Sequence, residues 1–208
     1  MKGILSHYTQ LPVLLGILEQ KKIVLGSPDN WEDKTDRNIL MKYARRKGEN
    51  IRVMCLTELP EDKYDSILHW KIYAPGISGC RIDFNKDMMI KIAKSHGAEI
   101  KEVKYTDYID RKKTENPQII PFLKRCPYSP EYEWRIIWTG KENKDFELDI
   151  SDFLEKKIIW KVKLSAELPK NLAVSLRSFL QKKYKIEANQ SWINQDQEWE
   201  YRAKKGIT

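Results

Sequence analysis

The segment from Ser129 to Trp138 contains charged residues whose types and spacing could form a catalytic or binding site. Glu131, Glu133 and Arg135 alternate with aromatic and β-branched residues, a pattern typical of a strand. Side chains alternate along a strand, so the three charged groups are expected on one face, with the two carboxylates ~6.6 Å apart along it. That face is either a solvated surface held by ion pairs or the wall of a polar cleft. Because charged side chains are normally exposed, the segment by itself favours the solvated surface.

Two other positions have residue types that suit a binding site. His7 follows a short apolar segment that predicts a first strand, and it stands directly before a predicted helix. A lone histidine in that position is more often bonded to the backbone than functional. Trp70 and Tyr73 are three residues apart, so they share one face of a predicted helix. Such a pair serves either as core packing or as a stacking platform.

The elements that must position these residues alternate irregularly along the chain. A leucine stripe at helical spacing predicts a first helix, with Thr9 as its N-cap and an end at residues 20–22. Further helices are predicted over 37–47, 64–74, 87–95, 115–124 and 171–183. Strands are predicted over 4–5, 23–25, 51–57, 79–84, 99–105, 131–138, 157–165 and 184–188. We therefore predict one compact α+β domain over residues 1–208, with mixed or antiparallel sheets and flanking helices.

Composition excludes several classes of protein. The apolar fraction of 41% is enough for a packed core, so disorder is not expected. No segment is long and apolar enough to span a membrane, and no membrane association is expected. Three widely spaced cysteines fit reduced thiols in the cytoplasm, and three scattered histidines give no support to a metal site.

The net charge of +8 would suit a polyanionic partner such as nucleic acid. The basic residues are, however, distributed in small groups over the whole chain, for example Arg45-Arg46-Lys47 and Arg111-Lys112-Lys113. This distribution favours a solvated basic surface over a dedicated nucleic-acid site.

Short motifs in a fixed order resemble an uncharacterised bacterial family, the domain of unknown function 2971. They cover residues 6 to about 138: Ser6-His7-Tyr8-Thr9, Gly26-Ser27-Pro28 with Asn30 and Asp33, Cys55-Leu56-Thr57-Glu58, Trp70-x-x-Tyr73-Ala74, Gly79-Cys80, and Glu131-x-Glu133-Trp134-Arg135. The chain departs from the family at Asn30-Trp31-Glu32-Asp33, where a compact Asn-Asp-Pro type turn is expected, and at Cys55-Leu56-Thr57, where a Ser-Phe-Ser type strand is more common.

That family in turn looks like a divergent ADP-ribosyltransferase fold, which implies a split-sheet core and NAD as substrate. The resemblance implies that His7 holds the adenosine-side ribose and that Tyr73, with Trp70, stacks on the nicotinamide ring. It also implies that Glu133 binds the nicotinamide ribose and stabilises the positive charge that grows as nicotinamide leaves. The implied catalytic residues are thus Glu133, His7 and Tyr73. The implied NAD-contacting residues are His7, Tyr8, Thr9, Trp70, Tyr73 and Arg135.

Two arginines, Arg135 and Arg81, are candidates to pair with the pyrophosphate. Glu131 either polarises the acceptor nucleophile or pairs with Arg135. The function implied by the resemblance is an NAD-dependent ADP-ribosyltransferase-like protein of bacterial or phage origin, with a role in defence or toxicity. Its acceptor would be an unknown protein or nucleic acid. Two alternatives stay open, a non-catalytic nucleotide- or nucleic-acid-binding module and an NAD glycohydrolase that uses water as the acceptor.

Overall fold

The computed structural model describes residues 3–60, 65–107, 117–193 and 203–206. The α-helices of more than four residues in these ranges are α1 (Leu11–Gln20), α2 (Lys34–Lys47), α3 (Ile67–Tyr73), α4 (Lys86–Ser95) and α5 (Lys170–Tyr184), and residues 203–206 form one further helical turn. The strands are β1 (Ile4–Gln10), β2 (Lys22–Leu25), β3 (Asn50–Thr57), β4 (Gly79–Asn85), β5 (Glu99–Glu102), β6 (Lys104–Tyr105), β7 (Leu123–Lys124), β8 (Glu133–Gly140), β9 (Phe146–Asp149), β10 (Ile159–Leu164) and β11 (Glu187–Gln190). None of the helices in these ranges combines the length and apolar character that a bilayer crossing requires.

A seven-stranded sheet, in the order β11-β10-β4-β1-β3-β8-β5, forms the centre of the fold. Its strands pair antiparallel except β10 and β11, which pair parallel. Two small sheets, β2 with β9 and β6 with β7, lie beside it. The predicted α+β class with a mixed sheet and flanking helices is confirmed. That one domain spans residues 1–208 stays a prediction.

The large sheet is divided between β1 and β3. These neighbours share a single registered pair, Ser6 opposite Thr57, whereas β3 and β8 are paired over eight positions. Four strands thus lie on one side of a narrow joint and three on the other. This division agrees with the split-sheet core implied by the resemblance.

Each face of the sheet has its own apolar core. The larger core packs α1, α4, α5 and the β2–β9 sheet against one face, around residues such as Leu18, Met89 and Ile136. The smaller core packs α2 against the other face, where Leu40 contacts the cluster that contains Val53. A third cluster of Tyr8, Trp70 and Ala74 packs α3 against β1.

Several predicted elements have different boundaries in the structure. The predicted helix over 115–124 is, in its described part, a 3-10 segment (Pro117–Phe122) followed by β7, because Pro121 interrupts helical hydrogen bonding. The predicted strand over 99–105 is divided into β5 and β6, and β9 was not predicted. The start predicted for the helix at 64–74 lies outside the described residues.

Thr9 does not cap α1, which corrects the sequence-based assignment. β1 continues through Gln10, and Gln10 takes the N-cap position without a side-chain hydrogen bond. Thr9 is instead an extended, buried residue opposite Cys80 in β4. The strand continues because its backbone is paired with β4 at every position from Ile4 to Gln10.

The contact between the end of α3 and the start of β4 leaves no room for a side chain at Gly79. A Cβ there would lie 2.0 Å from the carbonyl oxygen of Ala74. We expect Gly79→Ala to lower the free energy of unfolding by about 2 kcal/mol or more, because backbone must move to relieve the clash. Urea unfolding at 25 °C measures this. Gly16→Ala in α1, where a Cβ meets no atom within 4 Å, is the control and should be neutral or stabilising. Equal behaviour of the two variants would contradict the packing at this corner.

Candidate functional site

A cavity of about 880 Å³ opens where β1 and β3 separate. Its walls come from β1, α1, β2, the loop before α2, β3, α3 and the residues around β7 and the start of β8. The volume lies within the range typical of small-molecule sites. The cavity is therefore a consequence of the divided sheet.

On the edge of β3 that faces the gap, backbone groups have partners at three points. At one end, Thr57 pairs with Ser6 of β1. Further along, Gly26 exchanges two backbone hydrogen bonds with Val53, at 3.1 and 2.8 Å. Between them, the carbonyl oxygen of Cys55 accepts a hydrogen bond from the ring of His7 at 2.9 Å. Since an unpaired edge carbonyl is costly to bury, the His7 ring takes the place of the missing strand partner.

That contact determines the protonation of His7. A carbonyl oxygen only accepts, so the Nδ1 atom of His7 carries the hydrogen. Burial lowers the pKa of His7, against the opposing effect of the Cys55 hydrogen bond. The ring is therefore neutral near pH 7, and its Nε2 atom is a hydrogen-bond acceptor. His7 is one of the residues that line the cavity.

Glu133 begins β8 and is held by Arg135 on the same face of the strand. The Nε atom of Arg135 donates to Oε1 of Glu133 at 2.7 Å, and its second terminal nitrogen donates to Oε2 at 3.1 Å. Burial raises the pKa of Glu133, but the charge and hydrogen bonds of Arg135, with the nearby charge of Lys124, outweigh burial and lower it to about 2. Glu133 lines the cavity as a permanent carboxylate at physiological pH.

Arg135 does not reach the cavity. Its side chain is fully buried, and its remaining donors are used by the carboxylate of Asp36 at 3.0 and 2.5 Å and by the carbonyl of Pro121 at 2.9 Å. Arg81 is engaged in the same way, by Asp83 and Asp65. Neither arginine is among the residues that line the cavity, and pairing of Arg135 or Arg81 with a pyrophosphate stays a prediction.

Glu131 lies outside the strand, in contrast to the predicted alternation. It ends a 3-10 segment (Cys126–Glu131), and Tyr132 follows in the left-handed region at φ 47°. This turn still directs Glu131 to the cavity wall, where Lys124 donates to it at 2.5 Å and to Glu133 at 3.0 Å. Burial raises the pKa of Glu131, and Lys124 opposes that rise. The two glutamates thus meet through a lysine instead of through strand geometry.

Helix α3 supplies an aromatic wall. The ring of His69 stacks on Tyr8 at 4.9 Å and lies 5.9 Å from Tyr73. His69 also donates from Nε2 to the backbone carbonyl of Glu131 at 3.0 Å and accepts at Nδ1 from Ser66. The hydroxyl of Tyr73 donates to Oε1 of Glu131 at 3.0 Å, while 42% of the Tyr73 residue remains exposed. The helix is therefore tied to the acidic wall at two points.

Trp70 faces the interior. It is 6% exposed, meets Tyr8 edge-on at 5.5 Å, and donates from Nε1 to Asp65 at 2.7 Å. Asp65 also accepts from Tyr8 and Arg81. Trp70 therefore fixes α3 against β1 and is not placed to stack on a ligand, although helical spacing puts it near Tyr73.

Of the residues singled out from sequence, the structure brings His7, Tyr8, Tyr73 and Glu133 to one cavity. Thr9, Trp70 and Arg135 lie behind its walls. The sequence analysis missed four residues that build the site: Asp36, Asp65, His69 and Lys124. Each also has local partners, such as Ser66 for His69, but the contacts that build the site join positions 7 to 126 apart in sequence. No short-range pattern identifies such contacts. In the described ranges, no group of three or more His, Cys, Asp or Glu side chains is arranged to hold a metal ion.

Comparison with known proteins identified a distant structural similarity. No family model matches the chain, and no curated protein matches it in sequence. Among solved structures, Thermus sp. 2.9 DarT in complex with NAD+ is similar over 91% of this chain and 96% of that chain, with 9% identity and a TM-score of 0.46.

The ionised state of Glu133 makes a pH-dependent contribution to stability. Its pKa falls from the ordinary 4.5 to about 2 on folding, which corresponds to roughly 3 kcal/mol at pH 7. Between these pH values the unfolded chain binds the proton first, so the contribution is complete above about pH 4.5 and decreases as the pH falls towards 2.

We expect Glu133→Gln to be less stable than wild type by roughly this amount at pH 7 in urea unfolding. The difference should shrink below about pH 4.5. Glu142→Gln is the control: Lys144 lowers the pKa of Glu142 too, but solvent screens this exposed pair, so its pH dependence should be much smaller. A constant difference for Glu133→Gln would contradict the assignment.

Proposed function

We propose that this protein is an NAD-dependent ADP-ribosyltransferase-like enzyme of the kind implied by the resemblance to the domain of unknown function 2971 family. It would act in the cytoplasm, in bacterial or phage defence or as a toxin, on a protein or nucleic-acid acceptor. One observation carries the proposal. His7, Tyr73 and Glu133 come from β1, α3 and β8 and line a single cavity at the joint of a divided sheet. The three free cysteines, Cys55, Cys80 and Cys126, fit a reducing compartment.

The reaction would break the N-glycosidic bond between nicotinamide and ribose. The bonding electron pair leaves with nicotinamide, so positive charge develops on the ribose carbon, as in glycoside hydrolysis. The acceptor then bonds to that carbon and releases its proton. A carboxylate held ~4 Å from the developing charge would contribute about 4 kcal/mol at an effective dielectric near 20. Glu133 is suited to this role because Arg135 and Lys124 keep it ionised and fixed.

The charge at this wall of the cavity also suits bound NAD, whose nicotinamide ring is cationic until the glycosidic bond breaks. Three carboxylates (Asp36, Glu131, Glu133) and two cations (Lys124, Arg135) contact one another there. When all five are ionised, the cluster keeps one negative charge, although the chain as a whole carries +8. A cationic nicotinamide ring is attracted to such a wall, and the exposed face of Tyr73 offers a flat surface for stacking.

The ribose at the other end of NAD would be held by His7. Its Nδ1 atom is committed to Cys55, which leaves Nε2 of the neutral ring to accept from a ribose hydroxyl. Tyr8, the next residue in β1, lines the same cavity with its hydroxyl fixed by Asp65. In this arrangement β1 would contact the adenosine-side ribose, and α3 and β8 would contact the nicotinamide end.

The central experiment is to incubate the protein with NAD and cell extract and to measure free nicotinamide and added ADP-ribose mass. We expect Glu133→Gln to lower the rate of nicotinamide release by on the order of 10²-fold or more, with Glu142→Gln as the matched neutralisation of an exposed glutamate. Circular dichroism and thermal unfolding establish that both variants are folded. A folded Glu133→Gln protein with wild-type turnover would refute the role of Glu133.

The same experiment distinguishes the alternatives. Nicotinamide release without any modified macromolecule would identify an NAD glycohydrolase. Salt-sensitive binding of DNA or RNA without nicotinamide release would identify a non-catalytic binding module.

A second test distinguishes the roles of the two ring nitrogens of His7. Asparagine can donate to Cys55 from the position of Nδ1 but has no atom in the position of Nε2. We expect His7→Asn to stay folded and to raise the KM for NAD about 2- to 10-fold, the loss of one hydrogen bond. Glutamine places its amide near the position of Nε2, so His7→Gln should lose the Cys55 contact and unfold at lower urea concentration. An unchanged KM in His7→Asn would remove His7 from the binding site.

A further inference from the structure

Lys124 contacts both glutamates of the cavity wall and joins them. Its ammonium nitrogen lies 2.5 Å from Oε2 of Glu131 and 3.0 Å from Oε2 of Glu133, and 3.8 Å from Asp36. Its side chain is only 9% exposed, although it lines the cavity. A buried ammonium with three carboxylates around it is held in place by charge-assisted hydrogen bonds.

The surrounding backbone also fixes the position of Lys124. It ends β7, where it pairs with Tyr105 of β6. The hydroxyl of Tyr105 accepts from the backbone nitrogen of Glu133 at 2.9 Å, and the ring of Tyr128 lies 4.8 Å from the lysine nitrogen. The lysine and one of its carboxylate partners are thus attached to the same pair of short strands.

The two glutamates depend on Lys124 to different degrees. Glu133 has both oxygens bound by Arg135, so it keeps a cationic partner without the lysine. Glu131 accepts from the neutral hydroxyl of Tyr73 at one oxygen and from Lys124 at the other. In the described part of the chain, Lys124 is therefore the cation that contacts Glu131, beside the permanent negative charge of Glu133.

We propose that Lys124 is a positioning residue that keeps Glu131 and Glu133 negatively charged side by side at the cavity wall. This inference rests on the proposed function, because it assigns the lysine a role in presenting two carboxylates to the reacting ribose. It also makes a statement about the two carboxylates that can be measured without NAD.

If the Lys124 ammonium is removed, we expect one of the two carboxylates to bind a proton instead. Two neighbouring carboxylates without a cation between them do not both stay ionised, and the less well partnered one takes up a proton. Glu131 is that group, because it is buried and lacks an arginine. Among the described residues, His69 and Tyr73 of α3, Tyr105 of β6 and Glu133 of β8 interact with Glu131, and none of these is a cation at neutral pH. Asp36 of α2 and Cys55 of β3 belong to the same cluster through Lys124 and Glu133. Arg135 is the other cation of the cluster, but its donors are taken by Glu133, Asp36 and the carbonyl of Pro121, so it does not replace the lysine.

The test is a carboxyl NMR titration of protein labelled with ¹³C at glutamate side chains, with the Glu131 signal assigned by its absence in Glu131→Gln. In Lys124→Met we expect the titration midpoint of Glu131 to rise by about 1–3 pH units. Lys124→Gln keeps an N–H donor without the charge and should show the same rise; it also serves if the methionine variant does not fold. Lys124→Arg should restore the midpoint, and Lys144→Met, at an exposed lysine, should leave it unchanged.

The pH profile of nicotinamide release is measured on the same variants. We expect its acidic limb to move to higher pH together with the Glu131 midpoint and to return in Lys124→Arg. An unchanged Glu131 midpoint in Lys124→Met or Lys124→Gln overturns the inference, whatever the activity. A shifted midpoint with an unmoved acidic limb overturns the positioning role in the reaction. Absence of nicotinamide release from the wild type at every pH refutes the proposed function, and the NMR midpoints then decide on their own whether Lys124 holds the carboxylate pair.

Discussion

Beyond the pair Ser6–Thr57, strands β1 and β3 no longer satisfy each other's backbone. A sheet interrupted in this way exposes polar edge groups in the middle of the molecule, where each unpaired group costs free energy. The structure meets this constraint with substitutes: the His7 ring at the carbonyl of Cys55 and the backbone of Gly26 at Val53. These contacts hold the two halves of the sheet at a distance without closing the gap. The cavity follows from this separation of the two strands, and the His7 ring lies at its wall.

The charged wall depends on complete partnering of buried ions. Arg135 is fully buried and donates to Glu133, Asp36 and the carbonyl of Pro121. Burying such a guanidinium is costly unless its donors are satisfied, and the attraction within the cluster does little more than offset that cost. Replacing the whole cluster by apolar side chains would therefore change stability little, whereas removing one member leaves a buried charge unpaired and is destabilising. The cluster connects β8, α2 and the residues before β7, and it holds a carboxylate at the cavity wall in one orientation.

Helix α3 is fixed by a second polar network on the other side of the cavity. Asp65 accepts from Tyr8, Trp70 and Arg81, and His69 bridges from the helix to the carbonyl of Glu131. The helix has only seven residues and would be marginal in isolation. These hydrogen bonds and the stacked rings of Tyr8 and His69 give it a rigid position. The exposed ring of Tyr73 is thereby presented by a fixed support.

Local pattern was sufficient for the features that depend on neighbours in sequence. The leucine stripe predicted α1, and strand alternation placed Glu133 and Arg135 on the same face of β8. The same alternation failed for Glu131, because the left-handed conformation of Tyr132 makes β8 begin at Glu133, two residues later than expected. Helical spacing put Trp70 and Tyr73 near each other, but it could not say that the first is buried against Tyr8 and the second is open to the cavity.

The sequence by itself determined the α+β class, most of the helices and strands, and the residue types from which a site could be built, because each of these is set by periodicity over a few residues. Only the tertiary structure decided that Arg135 is ion-paired with Asp36, that Lys124 contacts both glutamates, and that β1 separates from β3. Those outcomes depend on which distant side chains can satisfy a buried charge or an unpaired strand edge. Such partners are chosen by packing of the whole chain, and no local pattern records them.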